Sequence, residues 1–193
     1  MTRRIPSLML LLLGLALFSL VLISCAKQAA GPPVMTEAEE IAHGRYLVTV
    51  LGCHDCHTPG YFYGAPDTAR ALSGSELGWK GPWGISYARN LTPELQTGIG
   101  AWSESDIITA VRTGKRPDGR MLLPPMPWPD LAALTDEDAA AVAKYLKTLR
   151  PVTHQVPDIV PPGTPAKGSI IELPPPSAWD APRSATTTPA ATP

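Results

Sequence analysis

The sequence predicts a small domain of three helices joined by long irregular connections, preceded by an apolar N-terminal segment and followed by a proline-rich tail. Three observations carry this reading. Capped segments with helical apolar spacing begin near residues 36, 103 and 135. Between Thr58 and Gly100 the chain is rich in Gly, Pro and aromatic residues and shows no sustained periodicity. Residues 8–23 are uncharged and apolar, and residues 151–193 hold 11 of the 23 prolines. About 115 residues remain between them, enough for one small core and too few for a large enzyme fold. With 16 Lys+Arg against 17 Asp+Glu and a formal charge of −1, the chain lacks the basic excess of a nucleic-acid binder.

The N-terminus reads as an export signal. Arg3 and Arg4 precede the apolar run Leu8–Ile23, which falls between a signal core and a membrane-spanning helix in length. Leu22-Ile23-Ser24-Cys25 follows and resembles the lipobox of bacterial lipoproteins. That resemblance implies a signal peptide over residues 1–24, a lipidated Cys25 at the mature N-terminus, and a tether over residues 25–35. The expected location is the periplasmic side of a bacterial membrane, with the chain held there by its lipid anchor.

The first helix opens with Thr36 and Glu39 in capping-box spacing and runs to about Leu51, with a stripe at Ile41, Gly44, Val48 and Leu51. A glycine inside a helix costs about 1 kcal/mol in propensity. Close approach of another element offsets that cost, and Tyr145 is the residue expected over Gly44. A shorter helix starts at Ser103, with Asp106 three residues on, and ends near Gly114; its inward face is Ile107, Ile108 and Val111. The third follows Thr135, runs to about Leu149, and has its stripe at Ala139, Val142, Leu146 and Leu149. These stripes are read as core that builds a pocket and does not react.

Chemistry enters at Cys53-His54-Asp55-Cys56-His57, a C-x-x-C-H sequence. Two thiols three positions apart on a helical turn can each form a thioether with one porphyrin vinyl group, and the adjacent His57 then points at the iron. About 0.001 chance matches are expected from this composition, so coincidence is a poor competitor. A thioredoxin-like pair needs no histidine here, and a zinc site needs further ligands from His43, His54 or His154. One motif implies one covalent haem c, and the region from Thr58 to Gly100 is expected to wrap it. Met126 and Met121 are the candidate distal ligands, with His154 as a remote third. Met126 lies among Pro124, Pro125, Pro127 and Pro129, a loop that loses little further entropy on folding.

The stretches GRYLVTVLGCHDCHTPG, RNLTPELQTGIGAWSESDIITAVRTGKRPDGR, PPMPW and LTDEDAAAVAKYLKTLRPV together resemble one class I cytochrome c domain. The resemblance spans roughly residues 38–152 and is nearest to the cytochrome subunits of bacterial membrane-bound alcohol and gluconate dehydrogenases. Those subunits carry such domains in tandem, whereas this chain shows one motif. The resemblance implies an all-α class I fold with covalent haem, His/Met ligation and electron transfer. By position, Cys53 and Cys56 hold the porphyrin, His57 is the proximal ligand and Met126 the distal one.

Further candidates follow from residue chemistry. Of Trp79, Trp83 and Trp128, only Trp128, two residues from Met126, is expected to touch haem. Arg89 matches a haem propionate in bidentate geometry. Arg112, Lys115, Arg116 and Arg120 form a basic patch suited to steering an acidic partner. The domain is assigned to residues 36–152. The tail over residues 153–193 is expected to be disordered, with Gly168–Leu173 and Trp179 as segments able to dock.

The function expected is that of a membrane-tethered monohaem electron carrier, not an enzyme, passing single electrons between redox proteins such as a dehydrogenase donor and an oxidase or cytochrome acceptor. The alternative is the electron-accepting cytochrome subunit of a periplasmic dehydrogenase complex. A haem peroxidase or gas sensor is the remote alternative, because it needs an open distal side with an acid/base group.

Overall fold

The computed structural model describes residues 35–175, so the export segment with Cys25, most of the tether, Trp179 and the end of the tail lie outside the described residues. Five α-helices occur among them: α1 (Glu37–Val50), α2 (Cys53–His57), α3 (Glu104–Thr113), α4 (Trp128–Leu131) and α5 (Asp136–Thr148). They are joined by a three-stranded mixed sheet of β1 (Gly78–Gly81), β2 (Gly84–Tyr87) and β3 (Ile170–Glu172), in the order β2-β1-β3.

The helical core forms where the apolar spacing places it. Val48, Ile107, Ala141, Val142, Ala143 and Leu146 are buried together, with Leu47 and Leu72 beside them. In α1 the stripe departs from expectation at one end, since Leu51 is 37% exposed and Leu47 takes the inward position. Gly44 is where α1 and α5 meet. A Cβ there would lie 1.9 Å from the Ala141 carbonyl oxygen and 2.8 Å from Tyr145 Cβ, so only glycine permits this approach. His43 Nε2 to Asp138 Oδ1 at 2.6 Å and the Lys144–Glu40 ion pair flank the contact.

The caps of the other two long helices also match the sequence. Ser103 Oγ accepts from Asp106 N at 3.1 Å, and Asp106 Oδ2 accepts from Ser103 N at 2.9 Å, which satisfies both ends of the capping box. Thr135 Oγ1 accepts from Asp138 N at 3.1 Å at the start of α5.

The expectation of an all-α fold is corrected by the sheet. β1 and β2 pair antiparallel, Gly78 opposite Tyr87 through Gly81 opposite Gly84, and β1 pairs parallel with β3, Gly78 opposite Ile170 through Lys80 opposite Glu172. Ile85, Tyr87 and Val156 form a second, smaller core, with Val160, Ala166 and Ile170 packed against it. The proline-rich segment after α5, expected to lack order from residue 153, therefore runs along the hairpin. Val156 is 2% exposed, and Val160 bridges Ile85 from outside the named strands. Prolines do not prevent this, because they fall between the residues whose amides join the ladder.

The stretch from Thr58 to Gly100 also folds on contacts of its own. The Asn90 side chain is buried and donates to the Val152 carbonyl at 2.8 Å and to Thr97 Oγ1 at 3.1 Å, and its carbonyl accepts from Thr92 N at 2.9 Å. This network ties the loop before α3 to the chain leaving α5.

Candidate haem-attachment site

Helix α2 is the C-x-x-C-H sequence itself, a single turn and a half entered through Gly52 and closed by Thr58 N donating to the His54 carbonyl at 3.0 Å. Cys53 and Cys56 are free thiols on this turn. Burial pushes the Cys53 thiol up to about 11 and raises Cys56 as well. A thioredoxin-like pair works through a lowered thiol pKa, and this site does the opposite. Among the described residues no three His, Cys, Asp or Glu side chains are grouped to hold a metal ion.

His57 is oriented by main chain. Its Nδ1 lies 2.7 Å from the Arg89 carbonyl oxygen. A carbonyl only accepts, so Nδ1 carries the proton and Nε2 carries the lone pair. Burial holds the imidazole pKa below its usual value, which keeps the ring neutral. That is the form a metal ligand requires, and the carbonyl partner fixes the ring as outer-shell partners do. The His57 carbonyl in turn accepts from Gly74 N at 2.8 Å.

Residues that the sequence did not single out build the rest of this wall. Thr58 is buried; its Oγ1 accepts from Leu72 N at 3.0 Å and pairs with His54 Nδ1 at 2.9 Å. Leu72 is 1% exposed and has a φ of 60°, an unusual conformation for a branched side chain. Its carbonyl accepts from Leu91 N at 2.8 Å, which holds it there. His54 serves this packing and stacks on Tyr61, with ring centroids 5.8 Å apart.

The distal candidates differ in exposure. Met126 is half-buried, while Met121 is 49% exposed and bridges Lys115. Ser86 of β2 donates to the Pro124 carbonyl at 2.5 Å, anchoring the loop that carries Met126. Three residues beyond Ser86, Arg89 accepts from His57. A short run of chain through β2 thus supports both candidate ligands. His154 is used elsewhere: Nδ1 meets the Ser73 carbonyl at 2.8 Å and Nε2 meets Glu76 at 2.8 Å.

Trp128 opens α4 and packs over Gly114, where a Cβ would fall 2.7 Å from the indole ring. Gly114 also ends α3 at φ 72°, so the conformation and the close contact both select glycine. Trp79 and Trp83 belong instead to the hairpin; Trp79 meets Phe62 edge to face at 5.2 Å. The Arg89 guanidinium donates to the Val156 carbonyl at 3.2 Å and lies 3.7 Å from Asp158. The basic patch is largely neutralised by neighbours: Arg112 pairs with Asp136, and Arg116 and Arg120 share Asp118.

Two free thiols on one turn and a buried, neutral imidazole presenting Nε2 are the donors that haem c requires, so the residues present fit that group. No protein-family model matches the chain. Comparison with characterised proteins finds the cytochrome c subunit of alcohol dehydrogenase (quinone) from Gluconobacter oxydans, 36% identical over 122 residues, or 62% of this chain and 24% of that protein. The fructose dehydrogenase cytochrome subunit of Gluconobacter japonicus is 33% identical over 138 residues, 68% of this chain and 27% of that subunit. The gluconate 2-dehydrogenase cytochrome c subunit of Pantoea cypripedii is 35% identical over 105 residues, 54% of this chain and 22% of its own length. The chain therefore spans about a quarter of the length of the relatives it matches. Over that matched region it is homologous to the cytochrome c subunits of alcohol, fructose and gluconate dehydrogenases.

Proposed function

We propose that this chain is a lipid-anchored, periplasmic, monohaem cytochrome c that passes single electrons between redox proteins. Cys53 and Cys56 would hold one haem c by thioethers, with His57 as proximal ligand and Met126 as distal ligand. Bound haem c supplies a one-electron ferric/ferrous couple. The observation that carries the reading is the His57 ring, buried, neutral and locked by the Arg89 carbonyl with Nε2 as the ligating nitrogen.

The remaining residues orient and enclose. Ser86 holds the Met126 loop through Pro124, which lowers the cost of keeping a weak thioether ligand in place. Trp128 closes the space beside Gly114, and Arg89 adds a positive charge near the proximal loop. No residue of the described loop around Met126 is a histidine suited to peroxide chemistry. The homology to cytochrome subunits of dehydrogenases supports the carrier reading.

The names of the relatives favour a second, compatible reading, in which the chain accepts electrons as a subunit of a dehydrogenase complex. Co-purification from detergent-solubilised membranes distinguishes the two, since a subunit brings its dehydrogenase with it and a free carrier does not. Membrane partitioning that disappears in Cys25→Ser checks the anchor.

The ligand set is tested by a pair of variants. Met126→Ala is expected to abolish the weak far-red sulfur-to-iron band of the ferric protein, lower the midpoint potential and admit carbon monoxide. Met121→Ala is expected to leave all three unchanged, because its side chain is half exposed. The reverse pattern would assign the ligand to Met121.

A further inference from the structure

We infer that His154 is a positioning residue for the proximal ligand: with a proton on each ring nitrogen, it clasps the segment leaving α5 to Ser73 and Glu76, in the turn that braces His57. The inference rests on the haem reading above and adds a residue behind the ligand. Its starting point is a count of donors. His154 Nδ1 lies 2.8 Å from the Ser73 carbonyl oxygen and Nε2 lies 2.8 Å from Glu76 Oε1. Both partners accept, and a neutral imidazole has one N–H, so serving the two requires the imidazolium. The His154 side chain is 10% exposed and Ser73 is 0% exposed. A Ser73 carbonyl released by the ring therefore has no water to turn to, which makes the contact costly to lose.

The charges around the ring favour that state. Glu76 faces Nε2 directly. Burial pushes its carboxyl upward, but hydrogen bonds from its own main chain and from His154, with the charges of His154 and Arg70, hold it below the usual value. The shared proton therefore sits on the ring. Arg70 stands 3.6 Å from Glu76 and is itself bound by Asp67 at 2.8 Å. Arg150, at the start of the same segment, is turned to the Ala69 carbonyl at 3.0 Å. On the main-chain side, Thr97 Oγ1 accepts from His154 N at 3.0 Å and donates to Glu94 Oε2 at 2.6 Å. The charge behind that contact is also negative.

What the clasp holds lies against His57. Gly74 N donates to the His57 carbonyl at 2.8 Å, and Ser75 N donates to the Ala88 carbonyl at 3.0 Å. The next carbonyl along, that of Arg89, receives His57 Nδ1. Gly74 has a φ of 91°, and a Cβ there would fall 2.5 Å from Val156 Cγ2 and 2.8 Å from the Ala88 carbonyl oxygen. The turn over residues 73–75 is thus closed between the segment that carries His154 and the chain that carries Arg89. A shift of this turn moves main chain on both sides of the ligand, its own carbonyl and the acceptor that sets its ring plane. His154 acts through the turn and needs no contact with His57.

The test is nuclear magnetic resonance of the haem-loaded protein with labelled nitrogen. The ring nitrogens of His154 report the protons they carry, and the hyperfine-shifted haem methyl resonances of the ferric form report the orientation of the axial ligands. Wild type is expected to show both His154 nitrogens protonated at neutral pH, and haem methyl shifts that change with pH in step with the loss of one proton. Glu76→Gln, at a side chain that is 55% exposed, is expected to give a ring with one N–H where wild type shows two, and to move the haem methyl pattern toward the alkaline one. His154→Asn is expected to abolish that pH response and to speed amide exchange at Gly74 and Ser75 by about tenfold or more. Glu172→Gln, which removes the Lys80 ion pair at the sheet edge, is expected to leave these signals unchanged. If His154→Asn does not fold, Glu76→Gln decides. A single N–H on the wild-type His154 ring would overturn the inference, as would a haem methyl pattern common to wild type and the His154 and Glu76 variants at every pH. Absence of shifted haem resonances from wild-type protein would instead overturn the haem reading itself.

Discussion

The molecule has two cores of different kinds. The helical core is built from α1, α3 and α5, helices of 14, 10 and 13 residues. The second core lies between a hairpin of two four-residue strands and a three-residue strand from the proline-rich segment. The first supplies the frame against which Cys53 packs. The second anchors the Met126 loop through Ser86 and leads directly into Arg89, which orients His57. Both candidate ligands are thus tied to the chain of the small sheet, one through Ser86 and one through Arg89.

The largest expected effect falls on the helical core. Gly44→Ala puts a Cβ against the Ala141 backbone at 1.9 Å, where no side-chain rotation relieves it. A loss of about 3 kcal/mol is expected by chemical denaturation of the haem-loaded protein, near the upper end for overpacking. A loss under about 0.5 kcal/mol would mean that α1 and α5 do not meet as closely as described.

Val156→Ala sharpens the contrast. Removing methyl groups from the smaller core is expected to cost about 1–2 kcal/mol. Its signature is local: amide exchange should accelerate in residues 78–87 and 156–172 and remain slow in α1 and α5. Uniform acceleration would show that the two cores open together.

The smallest effect is electrostatic and belongs to the α1–α5 edge. The hydrogen bond from His43 holds the Asp138 carboxyl below its usual value of 3.8. The unfolded chain therefore binds this proton more readily, and the stabilisation is present above that value and lost as pH falls through the lower folded-state value. Asp138→Asn is expected to lower stability by a small constant amount at neutral pH and to converge on wild type as pH falls below about 4, which flattens the acid limb. An acid limb identical to wild type would show that the pair contributes nothing.

The same division explains what was legible in the sequence. Helices α1, α3 and α5 declare themselves because ten or more residues give the apolar period room to repeat, and Ser103 and Thr135 mark the starts of α3 and α5. Gly44 is legible as a mismatch inside a good helix, and C-x-x-C-H carries its spacing on its face. Strands of three or four residues with glycine at their ends show no period, so β1 and β2 read as loop. Parallel pairing of Gly78 with Ile170 spans most of the domain and leaves no local trace. Thr58, Leu72 and Asn90 escape for a similar reason. Their importance lies in partners such as Val152, 62 residues away from Asn90, and in a backbone conformation that Leu72 would not be chosen for.

The central claim, that Cys53 and Cys56 carry haem c beside His57, is tested most directly by denaturing the protein produced in a host that attaches haem c, then following both haem and thiols. The account predicts that haem colour stays with the chain on a denaturing gel, that the intact mass exceeds the polypeptide by one haem, and that neither Cys53 nor Cys56 reacts with an alkylating reagent. Haem that extracts into acidified organic solvent, with both cysteines alkylated in full, would contradict it.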